Sequence, residues 1–201
     1  SELIIKNQNN KLLVGCKRKF DDLIEIFIKV EDSPGLFYKS VKILEHSGLE
    51  IIDANIFSSE NNKLAANTFI TKYSRHDRTL NKSELTELCT KIEKNFNKED
   101  GDSKMQSLKK KNTRFEKNIK INESINFDKN RNLITIETVD SSGLLAKIAK
   151  VFLENKVSIH SARINTLGER VEDTFEIENF NNKLLPSYKI KKIISELKKV
   201  V

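Results

Sequence analysis

The apolar positions of this chain fall into short runs whose spacing switches from strand to helix and back, and the whole sequence of switches occurs twice. Residues 23–31, with Leu23, Ile24, Ile26, Phe27, Ile28 and Val30, read as a largely buried strand. Leu36, Phe37, Val41 and Leu44 then recur at helical spacing. Ser33 is a good N-cap for that helix, Pro34 fits its first position, and Gly48 can end it in a left-handed conformation. Residues 50–58 alternate, with Ile52, Ala54 and Ile56 on one face and Ile51, Asp53, Asn55 and Phe57 on the other. Asn61-Asn62 marks a hairpin turn and residues 63–73 the next strand. Ser83 or Asn81 caps a second helix carrying Leu85, Leu88, Ile92 and Phe96. The same order then returns. It predicts a strand over 132–139, a helix from Ser142 with Leu144, Leu145, Ile148, Ala149 and Phe152 on one face, and a strand over 157–165. A turn at Leu167-Gly168-Glu169, a strand over 170–178 and a last helix opened by Pro186, with Ile190, Ile193, Ile194 and Leu197, complete it. Lys156 stands where Gly48 stood, so Asn155 is expected to close its helix.

Laid on each other at an offset of 108, residues 28–56 and 136–164 match without a gap, and ten of those 29 positions are identical. A match sustained at one offset marks an internal repeat. Its common point is the turn Asp32-Ser33-Pro34-Gly35-Leu36-Phe37 and its copy Asp140-Ser141-Ser142-Gly143-Leu144-Leu145. Each module reads β-α-β-β-α, one strand short of the ferredoxin-like βαββαβ arrangement, an α+β fold with helices on one face of an antiparallel sheet. Each module also has an apolar run just before its first strand: Leu12-Leu13-Val14, and Ile119, Ile121 and Ile125. A strand there can fold back and cover an edge that would otherwise stay bare. Residues 11–17 and 117–125 are therefore expected to supply the edge strands from the front. The conventional alternative gives 117–125 to the first module. The expected division is a remnant of an upstream seam at 1–10, a first module at 11–97, a basic linker at 98–112 and a second module at 113–201.

Composition narrows the class. The chain has 201 residues, 37% of them hydrophobic and 32% charged, enough for two small cores. No apolar run approaches the ~18–20 residues of a membrane span, and no signal-peptide pattern is present, so a cytoplasmic protein without a membrane partner is expected. The chain begins at Ser1 and is expected to be part of something longer. Cys16 and Cys89, distant in sequence, suit reduced thiols. The net charge of +7 sits on residues 1–20 (+4), 101–120 (+5) and 189–201 (+4), which leaves the module bodies acidic. A nucleic-acid reader carries its positive field on a folded face, so no nucleic acid is expected. RNA binding through the basic linker would betray itself by steep salt dependence. His46, His76 and His160 make no metal spacing, and no Walker or GxGxxG loop occurs. Neither metal binding nor catalysis is expected of the chain itself.

The turns suggest a different chemistry. A free amino acid offers a carboxylate and an ammonium. Backbone N–H groups of Gly35–Phe37 and Gly143–Leu145, at helix starts, suit the carboxylate. Asp32 and Asp140 can receive the ammonium or an amide N–H, or cap the turn by bonding their own backbone; the two roles can coexist. Asp53 and Asn55, with Ser161 and Arg163, share a polar strand face. That face could complete a pocket, form a sheet–sheet interface or stay solvated. His160 has the parity of Ala162, pointing inward, which favours a hydrogen-bonded core residue over a ligand contact. Glu169-Arg170-Val171-Glu172-Asp173 suits a hairpin held by charge pairs or one that meets a partner.

A strand, Asp-x-x-Gly-Leu, a helix and a β-hairpin form a pattern that resembles ACT domains, small modules that bind amino acids. Asp53-Ala54-Asn55-Ile56-Phe57-Ser58-Ser59 with Asn67-Thr68-Phe69 looks like the first of the tandem ACT repeats of bifunctional uridylyltransferase/uridylyl-removing enzymes of bacterial nitrogen control. The run from Ile159 through His160-Ser161-Ala162-Arg163 to Asp173-Thr174-Phe175 looks like the second. Asn67 departs from the Asp usual before Thr-Phe, which Asp173 keeps, and Ser142 stands where Pro is common. The resemblance implies a C-terminal regulatory region that senses L-glutamine and controls nucleotidyltransferase and HD phosphohydrolase domains upstream, which act on the PII signal protein. Mg and UTP would belong to those domains, with no cofactor in this chain. A homodimer through the ACT sheets is compatible with it. Candidate ligand-binding residues are Asp32, Ser33, Gly35, Leu36, Phe37, Asp53, Asn55, Asp140, Ser141, Gly143, Leu144, Leu145, His160 and Arg163. The alternative is a docking or dimerisation module with no small ligand.

Overall fold

The structure, a computed structural model, describes residues 12–20, 22–57, 64–73, 80–98, 119–128, 130–141, 143–167, 170–181 and 183–201. The first repeat consists of β1 (Leu12–Arg18), β2 (Leu23–Glu31), α1 (Leu36–His46), β3 (Leu49–Asn55), β4 (Leu64–Tyr73) and α2 (Lys82–Asn97). The second consists of β5 (Lys120–Asn126), β6 (Arg131–Val139), α3 (Leu144–Glu154), β7 (Val157–Arg163), β8 (Thr166–Leu167), β9 (Arg170–Asn179) and α4 (Ser187–Val200). The turn at Asn61-Asn62, Ser142, Gly168, Glu169, the linker beyond residue 98 and the seam before residue 11 lie outside the described residues.

Among the described residues, nine strands form one antiparallel sheet in the order β1-β2-β4-β3-β7-β9-β6-β5, with β8 beside β9. This is an α+β fold of two ferredoxin-like units placed edge to edge. The edge strands come from the front. Leu12 pairs with Val30 and Arg18 with Ile24; Lys120 pairs with Glu137 and Asn126 with Arg131. Each fold-back ends on a left-handed residue, Asp22 at φ 62° and Asn130 at φ 52°. Asp and Asn tolerate that region better than most side chains. The conventional assignment of 117–125 to the first unit is therefore excluded. The two edges are not covered alike: α2 packs on β1, whereas β5 is largely exposed. Helix packing also brings the two cysteines close despite their distance in sequence. Both are free thiols; Cys89 Sγ donates to the Val14 carbonyl at 3.5 Å and bonds the Cys16 thiol.

Alternation on the strands drives the core. Ile24, Ile26 and Ile28 of β2, Ala65 and Phe69 of β4, Ile134 and Ile136 of β6 and Phe175 and Ile177 of β9 face the helices and are buried. Each large side chain so buried contributes ~1.5–3 kcal/mol. The helices close over them with Val41 and Leu44, Leu88 and Ile92, Ile148 and Phe152, and Ile190 and Ile193. Phe152 meets Phe175 edge to face at 5.2 Å. Asn81 caps α2 through a reciprocal pair with Glu84, its side chain accepting from the Glu84 N–H at 2.9 Å.

Three local expectations need correction. Neither Ser33 nor Pro34 begins α1: the helix starts at Leu36, and Gly35 is its N-cap at φ 84°, a conformation open to glycine but not to proline. Alternation through 50–58 is broken by a bulge at Ile52, so Leu49, Ile51 and Ala54 are the buried residues. The second repeat has its bulge at the equivalent His160, so His160 does not share the direction of Ala162. Gly48 takes the expected left-handed position at φ 84°, and its counterpart Lys156 takes the same position at φ 54° although it carries a side chain. Asn155 closes α3 as expected, bonding the Val151 carbonyl at 2.9 Å.

Candidate functional site

The two repeats join where β3 meets β7. Asp53 lies opposite Arg163, Ala54 opposite Ala162 and Asn55 opposite Ser161. The Ile56 N–H donates to the His160 carbonyl at 3.1 Å, and the Ile164 N–H to the Ile52 carbonyl at 3.2 Å. These two bonds are images of each other at the offset of 108, so the seam is a pseudo-twofold centred on the alanine pair. Asp53, Asn55, Ser161 and Arg163 thus lie on the two strands of the joint, where Asn55 and Arg163 remain exposed. The seam also brings each turn against the other repeat, so that α1 packs on α3.

A cavity of about 520 Å³ lies between the first turn and the second repeat. Asp32, Ser33, Gly35, Leu36 and Phe37 line it from one side, and His160, Arg131 and Glu178 from the other. Phe37, Ile56, Ala65, Phe152 and Val157 supply apolar wall. β2 ends at Glu31, and the left-handed Gly35 swings the chain back so that α1 starts at the cavity. No side chain caps this helix start. The Leu36 N–H donates to the Ser33 carbonyl at 3.1 Å. First-turn N–H groups have no partner within their own helix, which leaves Phe37 and Tyr38, both on the cavity wall, to meet an anion there. Glu178, buried on the far wall, has His160 Nε2 against it and Arg131 Nε at 3.5 Å.

A fully buried polar group on the cavity wall is Asn67 of β4. It faces the helices between Ala65 and Phe69 and has no hydrogen-bond partner on either Oδ1 or Nδ2. A buried polar side chain left wholly unpaired is rare and costly. Sequence reasoning noted Asn67 only as a departure from Asp. The stronger signal was its parity, a polar residue in step with Ala65, Phe69 and Thr71 on an inward-facing edge. Arg131 and Glu178 were also missed, since nothing local marks them as facing the other repeat.

The second turn has the same backbone and different neighbours. Gly143 is left-handed at φ 72°, the Leu144 N–H donates to the Ser141 carbonyl at 3.0 Å, and no side chain caps α3. Asp140, Ser141, Gly143, Leu144 and Leu145 are set there as the repeat requires, away from the cavity described above. Opposite them stands Glu45 from α1, which occupies the place that Leu153 of α3 holds at the first turn. Its carboxyl accepts from the Ala146 N–H, while burial and the nearby Asp140 push it up to about 7. Asp173 pairs with Ile136 as Asn67 pairs with Ile28, so these two are also counterparts. Burial pushes Asp173 up to about 7 against a bond from the Asn165 backbone, and Asp140 adds to the rise. Its Oδ1 is buried without a partner.

No family model matches the chain. It is 29% identical over 180 residues to the bifunctional uridylyltransferase/uridylyl-removing enzyme of Psychrobacter sp. (strain PRwf-1), covering 88% of this chain and 20% of that protein. It is 27% identical over 205 residues to the enzyme of the same name from Acinetobacter baumannii (strain AYE), covering 98% of this chain and 23% of that one. Among solved structures, an unknown protein from Galdieria sulphuraria aligns at TM-score 0.30 with 10% identity, over 89% of this chain and 91% of its own. No described helix is long and apolar enough to cross a membrane. Over most of its length the chain is thus similar to bifunctional uridylyltransferase/uridylyl-removing enzymes, as the runs over 53–59, 67–69 and 159–175 suggested, and it spans about a fifth of the length of these relatives.

Proposed function

We propose that this chain is the amino-acid-sensing, non-catalytic part of a longer uridylyltransferase/uridylyl-removing enzyme, with L-glutamine as the effector read in the cavity at the first turn. The carrying observation is the uncapped start of α1 opening into that cavity beside Asp32. The N–H groups and helix dipole there suit a carboxylate, and Asp32 suits an ammonium. A cavity of about 520 Å³ holds one amino acid with room for water. The wall comes from both repeats, so a ligand bound in it is expected to tighten their seam. A change at the seam is a means of signalling to catalytic domains elsewhere in the enzyme, which would act on the PII protein.

Calorimetric titration of the chain with L-glutamine and the other amino acids tests the reading. Saturable binding of glutamine, with a melting temperature that rises with its concentration, is the expected result. Absence of binding by every amino acid would overturn it. That outcome would favour the docking alternative, for which the exposed Ile125 and Phe127 at the β5 edge are the supporting observation.

A further inference from the structure

We propose that Asn67 is the specificity-determining residue of the cavity and selects ligands that end in a primary carboxamide. The inference rests on the sensing reading and deepens it.

The starting point is the side chain itself. Asn67 is fully buried, and its oxygen and its nitrogen both lack a partner. An amide can donate two hydrogen bonds and accept two. Turning the amide over exchanges the two atoms and leaves both unpaired, so the deficit does not depend on how it is oriented. The group that cures it must accept from the nitrogen and donate to the oxygen, side by side in one plane. A primary carboxamide does both. A carboxylate meets the nitrogen only and sets a negative oxygen against Oδ1. An apolar end meets neither.

The placement fits. Asn67 pairs with Ile28, four strand residues before Asp32, which is ~13 Å along β2. A ligand held at one end by Asp32 and the first turn of α1 therefore needs a side chain of a few methylenes to bring its end group to Asn67. The walls between are Phe37, Ile56 and Ala65, suited to an aliphatic stem. The other repeat has Asp173 at the equivalent position, with Asp140 near it. The asparagine amide is thus a feature of the first site alone.

Calorimetry and melting of the wild-type chain, Asn67→Leu and Asn67→Asp, each with L-glutamine, L-glutamate and L-methionine, test the proposal. The wild type is expected to bind glutamine at least about tenfold more tightly than either of the others, the scale set by one buried group left unpaired. In Asn67→Leu glutamine is expected to lose that advantage over methionine, with the two affinities within about threefold. The free Asn67→Leu chain is expected to melt higher than the wild type, because an unpaired buried amide has been replaced by an apolar group. A merely structural asparagine would give a lower melting point. Asn67→Asp at pH 8 keeps an acceptor and loses the donor, so glutamine weakens about tenfold and glutamate does not gain. A wild type that prefers glutamine while Asn67→Leu keeps the full preference overturns this inference and leaves the sensing reading standing. A wild type that binds no amino acid overturns both.

Discussion

The two turns share a backbone and differ in what faces them. Both put a left-handed glycine before the helix, both spend one N–H on a serine carbonyl, and both sit one bulged strand away from the seam. At the first, Leu153 and Asn67 look in, and a cavity opens. At the second, Glu45 and Asp173 look in, and the Ala146 N–H already holds a carboxyl. Each of these four residues comes from outside the turn it serves, and Leu153 and Glu45 come from the other repeat. Duplication supplies the uncapped helix start twice. The neighbours across the seam decide whether it is open to a ligand.

The largest expected effect separates the two glycines. A Cβ on Gly35 would stand 2.9 Å from Cδ2 of Leu153, whereas one on Gly143 would meet nothing within 4 Å. Both positions are left-handed, which costs an L-residue ~1–2 kcal/mol. Gly143→Ala is expected to show that cost alone. Gly35→Ala adds crowding, which is typically ~1–3 kcal/mol, and should come to ~2–5 kcal/mol in urea unfolding. Adding Leu153→Ala to Gly35→Ala should bring the two turns level. Equal losses from the single variants would show that Leu153 does not press on the first turn.

A second contrast is in protons. Glu45 and Asp173 are both pushed up to about 7, from ordinary values of 4.5 and 3.8. The folded chain therefore holds protons that the unfolded chain has released. Their contribution to stability is complete below about pH 4 and is lost as pH rises to 7 and beyond. Leu153 and Asn67, which hold the corresponding places at the first turn, do not titrate. Subtracting the pH–stability curve of Glu45→Gln/Asp173→Asn from that of the wild type is expected to give a difference that falls from pH 4 to 8. A flat difference would mean that the two carboxyls titrate normally.

The smallest effect lies at the ends of the helices that carry Glu45 and Leu153. Gly48 follows α1 without strain, whereas Lys156 follows α3 in the same left-handed position. Lys156→Gly is expected to stabilise the chain by ~1 kcal/mol, read as a higher denaturant midpoint at unchanged slope. A loss of stability would show that the lysine side chain makes a contact worth more than its strain.

Much of this architecture was legible in the residues. The repeat, the edge strands drawn from the front and the left-handed Gly48 all follow from local pattern and from the need to cover a sheet edge. The bulges did not show, because Ile52 and His160 sit in runs whose hydrophobic alternation reads equally well without an extra residue. The seam showed only as one of the roles left open for Asp53, Asn55, Ser161 and Arg163. Pairing of Asp53 with Arg163 is a contact over 110 residues that no local periodicity encodes. For the same reason the turns could be named as sites, while Leu153 and Glu45, which set them apart, could not. Asn67 was readable by parity and was passed over because attention fell on the residue it replaced.

The central claim is that the first turn, and not its copy, receives the amino acid. It is tested most directly by glutamine calorimetry on Leu153→Glu, which puts a carboxylate where Glu45 stands at the second turn, with Glu45→Leu as its mirror. The account predicts that Leu153→Glu weakens glutamine at least about tenfold while still melting cooperatively, since a resident carboxylate competes for the same N–H groups. Glu45→Leu is expected to leave the wild-type affinity in place. Wild-type binding by Leu153→Glu, or its loss in Glu45→Leu alone, would contradict the account and move the site to the second turn or elsewhere.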